Sequence, residues 1–144
     1  MKQFSAEIFT PEAANKIELP LLLSEVIAGF PSPADDYIDK KMDLNEHLIS
    51  NKAATFLIRA YGDSMIDANI KEGDILVVDR SMDAHNNSII IAIFNGELTV
   101  KRIKQRAGRL FLLPENPEYP LLEITEETSF EVWGVVTYII HKAV

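Results

Sequence analysis

The chain has 144 residues, a net charge of −8 and no cysteine, which predicts one domain with a single hydrophobic core, preceded by an arm. The lack of cysteine excludes disulfides and thiolate metal sites, and the acidic balance argues against DNA as the main ligand, because DNA-binding proteins carry a basic face. No apolar run approaches the roughly 20 residues of a membrane span and no signal peptide is recognisable, so we expect a cytoplasmic protein that does not bind membranes.

The first part of the chain contains four of the seven prolines and shows little periodicity. Thr10–Glu12 is a typical helix start, which predicts a short helix over Pro11–Lys16. Pro20 ends any continuation of that helix. Pro31–Asp36 is typical of an exposed linker. Between Pro20 and this linker lies a short apolar stretch that contains the Ala28–Gly29 bond.

A helix and a series of strands follow. Asp43 and Glu46 resemble a capping box and predict a helix from Leu44 to about Ser50. A short helical turn is predicted from Ser64 to Ile70. Strands are predicted at Thr55–Ala60, Ile75–Asp79, Ile89–Phe94, Leu98–Ile103, Leu110–Leu113 and Phe130–His141. Strands that are joined by short turns, with few helices, predict a mainly β domain, either a small β-barrel or a folded sheet.

Asn95 and Gly96 predict the register of one hairpin, because this pair is favoured in a two-residue type I′ turn. Ile90 then lies opposite Lys101. Residues on one face of a strand alternate with period two, so Lys101 shares its face with Ile90, Ala92, Thr99 and Ile103. Because both faces of the hairpin are apolar, we expect it to lie in the centre of the sheet, covered on both sides.

Lys101 is the unusual residue of this hairpin, since lysine is almost never fully buried. Burial disfavours the ammonium form and lowers the pKa. A lysine that acts as a base near neutral pH needs a pKa of roughly 7–8 instead of about 10.4. The alternative is a side chain that extends along the apolar surface until its amine reaches solvent at the rim. The pattern alone leaves both interpretations open.

Ser64 follows Gly62 and Asp63 in a segment that favours a tight turn. Its hydroxyl is expected to be exposed there, and the backbone N–H groups of Asp63 and Ser64 are candidates for an oxyanion hole. A serine with a lysine partner can act as a nucleophile. The chain has eight serines and nine lysines, so only the setting distinguishes this pair. The alternative is a serine that only caps the helical turn.

Other catalytic or binding sites have weaker support in the sequence. Gly62–Ser64 also matches the GDSL hydrolases, but those resemble larger α/β proteins with a late Asp-x-x-His motif, which is absent here. His47, His85 and His141 have no motif context, and no residue spacing indicates a metal ion or a cofactor. A basic strip is expected to form a solvated hairpin edge; it comprises Lys101, Arg102, Lys104, Arg106 and Arg109.

Several segments resemble, in order, the peptidase domain shared by the LexA repressor, phage repressors and the UmuD mutagenesis protein, a family of S24-type serine peptidases. They are Gly62–Met65, Gly73–Asp79, Asn95–Arg102, Pro114–Asn116 and Val132–Val136. The similarity extends over about residues 20 to 140 and includes the expected separation of Ser64 and Lys101. It implies that Ser64 is the nucleophile, that Lys101 is the general base and that the Ala28–Gly29 bond is the site of self-cleavage.

Within this family the chain resembles UmuD more than LexA. LexA carries a helix-turn-helix domain ahead of its cleavage site, whereas only residues 1–28 lie before the bond here. The resemblance implies a cleavable arm over residues 1–28, a linker over 29–42 and a peptidase and dimerisation domain over 43–144. It also implies that a RecA filament on single-stranded DNA activates cleavage in the SOS response to DNA damage. The trimmed homodimer would then serve a UmuC-like Y-family DNA polymerase in error-prone translesion synthesis.

Two other function classes remain open. A LexA-like repressor fragment would need a DNA-binding domain or a basic helix, and neither is recognisable, so we expect no sequence-specific DNA binding. A polymerase-binding module without catalysis would be expected to have lost the pair formed by Ser64 and Lys101, which this chain retains.

Overall fold

The computed structural model of the protein describes residues 7–9, 18–22 and 38–144. In these residues the strands are β1 (Glu7–Phe9), β2 (Glu18–Leu22), β3 (Ile38–Asp43), β4 (Thr55–Arg59), β5 (Ile75–Asp79), β6 (Ile89–Phe94), β7 (Glu97–Arg106), β8 (Arg109–Leu113), β9 (Leu122–Ile124) and β10 (Phe130–Ile140). The described helical segments are α1 (Leu44–Leu48) and two 3-10 turns, at Lys52–Ala54 and Ile66–Ala68. None of the described helices has the length and apolar character to cross a bilayer. The chain divides into two compact units, residues 12–50 and residues 1–11 with 51–144.

The larger unit is built on an eight-stranded sheet with the order β1-β4-β5-β10-β6-β7-β8-β9. Every neighbouring pair in it is antiparallel. Within the described residues β1 and β9 each have a single neighbour. The predicted mainly β fold is therefore confirmed, and of its two forms the structure shows the open sheet and not a closed barrel.

The smaller unit contains the antiparallel pair of β2 and β3, followed by α1. The Asp43 carboxylate caps the helix, because its Oδ1 accepts a hydrogen bond from the Asn45 N–H at 3.1 Å. The predicted helix start at Leu44 is therefore confirmed. The helix ends at Leu48 instead of near residue 50, because Ile49 has extended backbone angles.

The sequence did not predict β2 and β3, because Pro20 lacks the N–H that a strand interior needs. In a sheet of two strands each strand is an edge strand, and edge strands tolerate proline. Pro20 can therefore lie within β2, where it is opposite Lys41 of β3. The predicted helix over Pro11–Lys16 and the exposed segment Pro31–Asp36 lie outside the described residues. β3 overlaps the end of the linker predicted over residues 29–42, and the division of the chain at residue 28 stays a prediction.

The hairpin of β6 and β7 has the register that Asn95 and Gly96 predict. Both turn residues have positive φ, 50° at Asn95 and 80° at Gly96, as a type I′ turn requires. Ile90 lies opposite Lys101. Because β10 flanks β6 and β8 flanks β7, the hairpin is central, as predicted.

Apolar side chains cover both faces of this hairpin. Val100 belongs to one buried cluster, with Ile58, Ala60, Met65, Ile70, Leu76, Val78 and Ile91. Ile90 belongs to the other, with Ala92, Leu112 and Val135. Because residues directly opposite each other share a face, Lys101 lies on the face of the second cluster.

β10 crosses the middle of the larger sheet and pairs with both β5 and β6. Its register shifts between Val132 and Gly134. A Cβ atom at Gly134 would lie 2.6 Å from Cγ1 of Val78, whose side chain is fully buried. Close packing against β5 therefore requires glycine at this position.

We expect Gly134→Ala to lower the free energy of unfolding by about 1–3 kcal/mol, because the added methyl group overpacks the site. Urea unfolding followed by circular dichroism measures this loss. Val78→Ala removes the opposing methyl groups, so the double variant should lose less stability than the sum of the two single variants. Strictly additive losses would contradict the contact as the cause.

Candidate active site

Ser64 lies in a loop of residues 60–65, the Ser64 loop, which connects β4 to the 3-10 turn at Ile66–Ala68. Two backbone hydrogen bonds of 2.8 Å hold its start: the Ala60 N–H donates to the Asp74 carbonyl, and the Gly73 N–H donates to the Ala60 carbonyl. The backbone ahead of Ser64 is therefore fixed to the turn that precedes β5.

The helical turn after Ser64 is shorter than the predicted Ser64–Ile70 segment. Met65 occupies its N-cap position, and no side chain caps the turn there. The Ile66 N–H donates instead to the Asp63 carbonyl at 3.2 Å. The interpretation of Ser64 as a plain helix cap is therefore wrong, because the serine does not occupy the capping position.

A small cavity lies beside Ser64. Its volume of about 10 Å³ is enough for roughly one water molecule. Apart from the serine, its wall is formed by Ala60, Tyr61, Gly62, Met65, Ile70 and Val100. Val100 lies on β7, so the cavity joins Ser64 to this strand. Lys101 is the next residue of the strand, and its side chain points to the opposite face.

Lys101 is buried in the sheet, with 8% of its surface exposed. Burial lowers the pKa of the Lys101 amine below its ordinary value. In the described part of the chain no carboxylate forms an ion pair with this lysine, so no ion pair offsets the desolvation of the ammonium form. The predicted burial of the Lys101 side chain is confirmed.

A loop between β8 and β9, residues 114–121, contacts the Ser64 loop. Asn116 Nδ2 donates to the Asp63 carbonyl at 2.9 Å, and the Tyr119 hydroxyl donates to Asp63 Oδ1 at 2.6 Å. The Tyr119 ring also lies over Lys101, whose Nζ is 6.0 Å from the ring centroid. In the sequence, only the family resemblance at Pro114–Asn116 drew attention to this loop, and no local pattern indicated Tyr119.

The predicted oxyanion donors, the backbone N–H groups of Asp63 and Ser64, have no acceptor among the described residues. An oxyanion hole needs N–H groups that are not already bonded to other acceptors. The arrangement is compatible with this role, which stays a prediction.

The three histidines lie in other parts of the fold. His141 Nδ1 lies 2.6 Å from Oδ1 of the buried Asp74, whose Oδ2 accepts from the Lys71 N–H at 2.8 Å. This pair links the end of β10 to the turn before β5. His47 lies in α1 and His85 in the connection between β5 and β6. The described residues contain no group of three histidine or acidic side chains arranged to hold a metal ion.

Three of the five residues of the basic strip are paired with neighbouring polar groups. Arg102 forms an ion pair with Glu115, and Arg109 Nη2 lies 2.7 Å from Glu123 Oε2. Lys104 Nζ donates to Asn87 Oδ1 at 3.0 Å. The prediction of a solvated hairpin edge is wrong for Lys101, which is buried, and both β7 and β8 have a neighbouring strand on each side.

Comparison with known proteins identifies the family. Residues 20–137 match the family described as Peptidase S24-like. The chain belongs to the Peptidase S24-like family. The matched residues include Ser64, Lys101 and the Ala28–Gly29 bond. The predicted family is therefore confirmed, whereas the roles of these residues stay predictions.

Individual relatives of this S24 protein differ in how much of their length it covers. It is 40% identical to Protein MucA of Salmonella typhimurium over 134 residues, which are 92% of this chain and 91% of MucA. It is 46% identical to Protein SamA of Salmonella typhimurium strain LT2 over 123 residues, 85% of each chain. It is 37% identical to the LexA repressor of Paracidovorax citrulli over 128 residues, 89% of this chain but 56% of the repressor. The predicted UmuD-like character is confirmed by the nearly full-length similarity to MucA and SamA.

The lowered pKa of Lys101 predicts how stability depends on pH. At pH values between the pKa of Lys101 in the folded state and its higher pKa in the unfolded state, the unfolded chain binds more protons than the folded one. The free energy of unfolding therefore rises with pH up to about 10.4. In a Ser64→Ala background, Lys101→Met should therefore stabilise the fold most at neutral pH, and its advantage should shrink as the pH approaches 10. Urea unfolding from pH 7 to 10 measures this difference.

The matched control is Lys52→Met, because Lys52 is exposed. Its effect on the free energy of unfolding should not change over the same pH range. If Lys101→Met changed the free energy of unfolding by the same amount at every pH from 7 to 10, the lowered pKa of Lys101 would be contradicted.

Proposed function

We propose that this protein is a serine peptidase that cleaves its own Ala28–Gly29 bond, with Ser64 as nucleophile and Lys101 as general base. The observation that carries this proposal is the buried lysine. Its pKa is lowered by burial, and its Nζ lies 6.0 Å from the centroid of the Tyr119 ring, whose hydroxyl donates to Asp63, the residue before Ser64. Membership of the Peptidase S24-like family supports the same chemistry.

The chemistry begins when the neutral amine of Lys101 takes the proton of the Ser64 hydroxyl. The Ser64 oxygen attacks the carbonyl carbon of Ala28, and the N–H groups of Asp63 and Ser64 stabilise the oxyanion. The tetrahedral intermediate collapses, the bond to Gly29 breaks, and the ammonium of Lys101 returns the proton to the leaving amine. Water then hydrolyses the acyl-enzyme, which restores Ser64 and releases residues 1–28.

The size of the cavity supports alanine as the residue before the cleaved bond. A volume of about 10 Å³ has room for a group close to the size of one water molecule, and the alanine side chain is a single methyl. The wall residues Met65, Ile70 and Val100 are buried members of one apolar cluster. Such a wall favours a small apolar side chain over a large or charged one.

The biological role follows from the resemblance to UmuD and from the nearly full-length similarity to MucA and SamA. In this role the cleavage belongs to the cytoplasmic SOS response, and a RecA filament on single-stranded DNA promotes it. The trimmed protein acts as a homodimer and as the accessory subunit of a UmuC-like Y-family polymerase in translesion synthesis. No described observation favours the repressor alternative, because Arg102 and Arg109 of the basic strip are paired with glutamates.

Ser64→Ala and Lys101→Ala should each fold and remain uncut, because one lacks the nucleophile and the other lacks the base. For Lys101→Ala we expect a rate loss of at least about 100-fold. Mass spectrometry of the purified full-length protein, incubated with and without a RecA filament, detects the fragment that begins at Gly29. The matched controls Ser129→Ala and Lys52→Ala change exposed residues and should cleave normally. A fragment that begins at Gly29 from Ser64→Ala would refute the assignment.

The rate of spontaneous cleavage should rise with pH from 7 towards 10, because a growing fraction of Lys101 is neutral. Since burial lowers the pKa of this lysine, the rate should level off below the ordinary lysine value of about 10.4. Rates measured at fixed ionic strength, with circular dichroism to verify folding at each pH, give the profile. A flat profile from pH 7 to 10 would argue against lysine as the base.

A further inference from the structure

The 114–121 loop restrains the peptide that joins Asp63 to Ser64. Asn116 Nδ2 donates to the Asp63 carbonyl oxygen at 2.9 Å, and the Tyr119 hydroxyl donates to Asp63 Oδ1 at 2.6 Å. The Asp63 carbonyl and the Ser64 N–H belong to the same planar peptide group. Fixing this carbonyl therefore also fixes the direction of the Ser64 N–H.

The same tyrosine covers the other half of the candidate pair. The ring of Tyr119 is partly buried and has its centroid 6.0 Å from Lys101 Nζ. This distance is the outer limit of a cation–π interaction, so the attraction of the ring for an ammonium group is weak. The main effect of the ring is to keep water away from the amine, which disfavours the charged form.

Two contacts of Glu115 hold this loop in place. Its side chain pairs with Arg102, the residue that follows the predicted base on β7. Its carbonyl accepts from the Asp67 N–H at 2.8 Å, in the 3-10 turn after the Ser64 loop. Within the loop, the Tyr119 N–H donates to the Asn116 carbonyl at 3.1 Å. The 114–121 loop therefore connects the two segments that carry the candidate nucleophile and base.

We infer that Tyr119 is a positioning residue for the self-cleavage: its hydroxyl orients the Ser64 backbone through Asp63, and its ring shields the Lys101 amine from water. This inference rests on the proposed function, since it assigns a role toward the proposed nucleophile and base. In this role Tyr119 acts through Asp63 and Lys101, so it is a positioning residue and not a catalytic one.

The protonation state of Tyr119 suits this role. Its hydrogen bond to Asp63 is the main cause that raises the pKa of the Tyr119 phenol, followed by desolvation and by the negative charges of Asp63 and Glu118. The hydroxyl therefore remains a donor to a higher pH than that of an ordinary tyrosine. Below that pH, the pH dependence of cleavage reports on Lys101 and not on the loss of this hydrogen bond.

Two substitutions separate the two parts of the role in the full-length protein. Tyr119→Phe keeps the ring and removes the hydroxyl, so cleavage should slow by about 10- to 100-fold while the midpoint of the pH–rate profile stays unchanged. Tyr119→Ala also uncovers the amine, so its midpoint should move to higher pH, towards that of an exposed lysine. A side chain with a merely structural role would lower the rate without this selective change in midpoint.

A second site keeps the test independent of how well Tyr119→Ala folds. Asn116→Ala removes the other hydrogen bond to Asp63, so it should also slow cleavage with an unchanged midpoint. Tyr138→Phe removes a phenol hydroxyl from β10, outside the 114–121 loop, and should cleave at the wild-type rate. Thermal unfolding of every variant verifies that the fold is intact.

The outcomes distinguish the two proposals. The positioning role alone is overturned if Tyr119→Phe and Asn116→Ala cleave within about twofold of the wild-type rate, well short of the expected loss, while cleavage still depends on Ser64. Absence of any cleavage that depends on Ser64 overturns the proposed function and this inference together. Slow cleavage in both variants, with the shifted midpoint confined to Tyr119→Ala, supports the inference.

Discussion

Burial of the Lys101 amine between apolar layers is the constraint on which the candidate site depends. A lysine in water is charged at neutral pH and cannot accept a proton, whereas desolvation in the sheet shifts it towards the neutral base that a serine nucleophile needs. This desolvation costs stability, which the apolar clusters on both faces of β6 and β7 offset. The apolar clusters on the two faces of the open sheet thus bury the central hairpin and desolvate Lys101.

The proposed nucleophile, Ser64, has the opposite requirement, because its hydroxyl must be reachable by a peptide while its backbone is held in place. The Ser64 loop is fixed at its start by the backbone bonds of Ala60 and in its middle by the bonds that Asp63 receives from Asn116 and Tyr119. In the proposed self-cleavage the substrate is part of the same chain and is therefore present at high effective concentration. The proposed rate then depends on how often the arm docks and how often Lys101 is neutral.

Local signals predicted much of the fold and part of the site. The pair Asn95 and Gly96 predicted the hairpin register, and therefore the burial of Lys101, because turn chemistry acts between adjacent residues. β2 was missed because Pro20 indicates a break. Tyr119 was missed because its bond to Asp63 joins residues 56 positions apart, and no local pattern encodes such a contact. The region of the Ala28–Gly29 bond lies outside the described residues, so its docking stays a prediction.

Membership of the Peptidase S24-like family and the buried lysine support the same account from independent directions. The most direct test is a titration of the Lys101 side chain by nuclear magnetic resonance, in full-length protein that carries Ser64→Ala so that the arm stays attached. The account predicts that the Lys101 amine titrates below the ordinary lysine value of about 10.4, because burial lowers its pKa. A Lys101 amine that titrates at or above that value would contradict its proposed role as the general base.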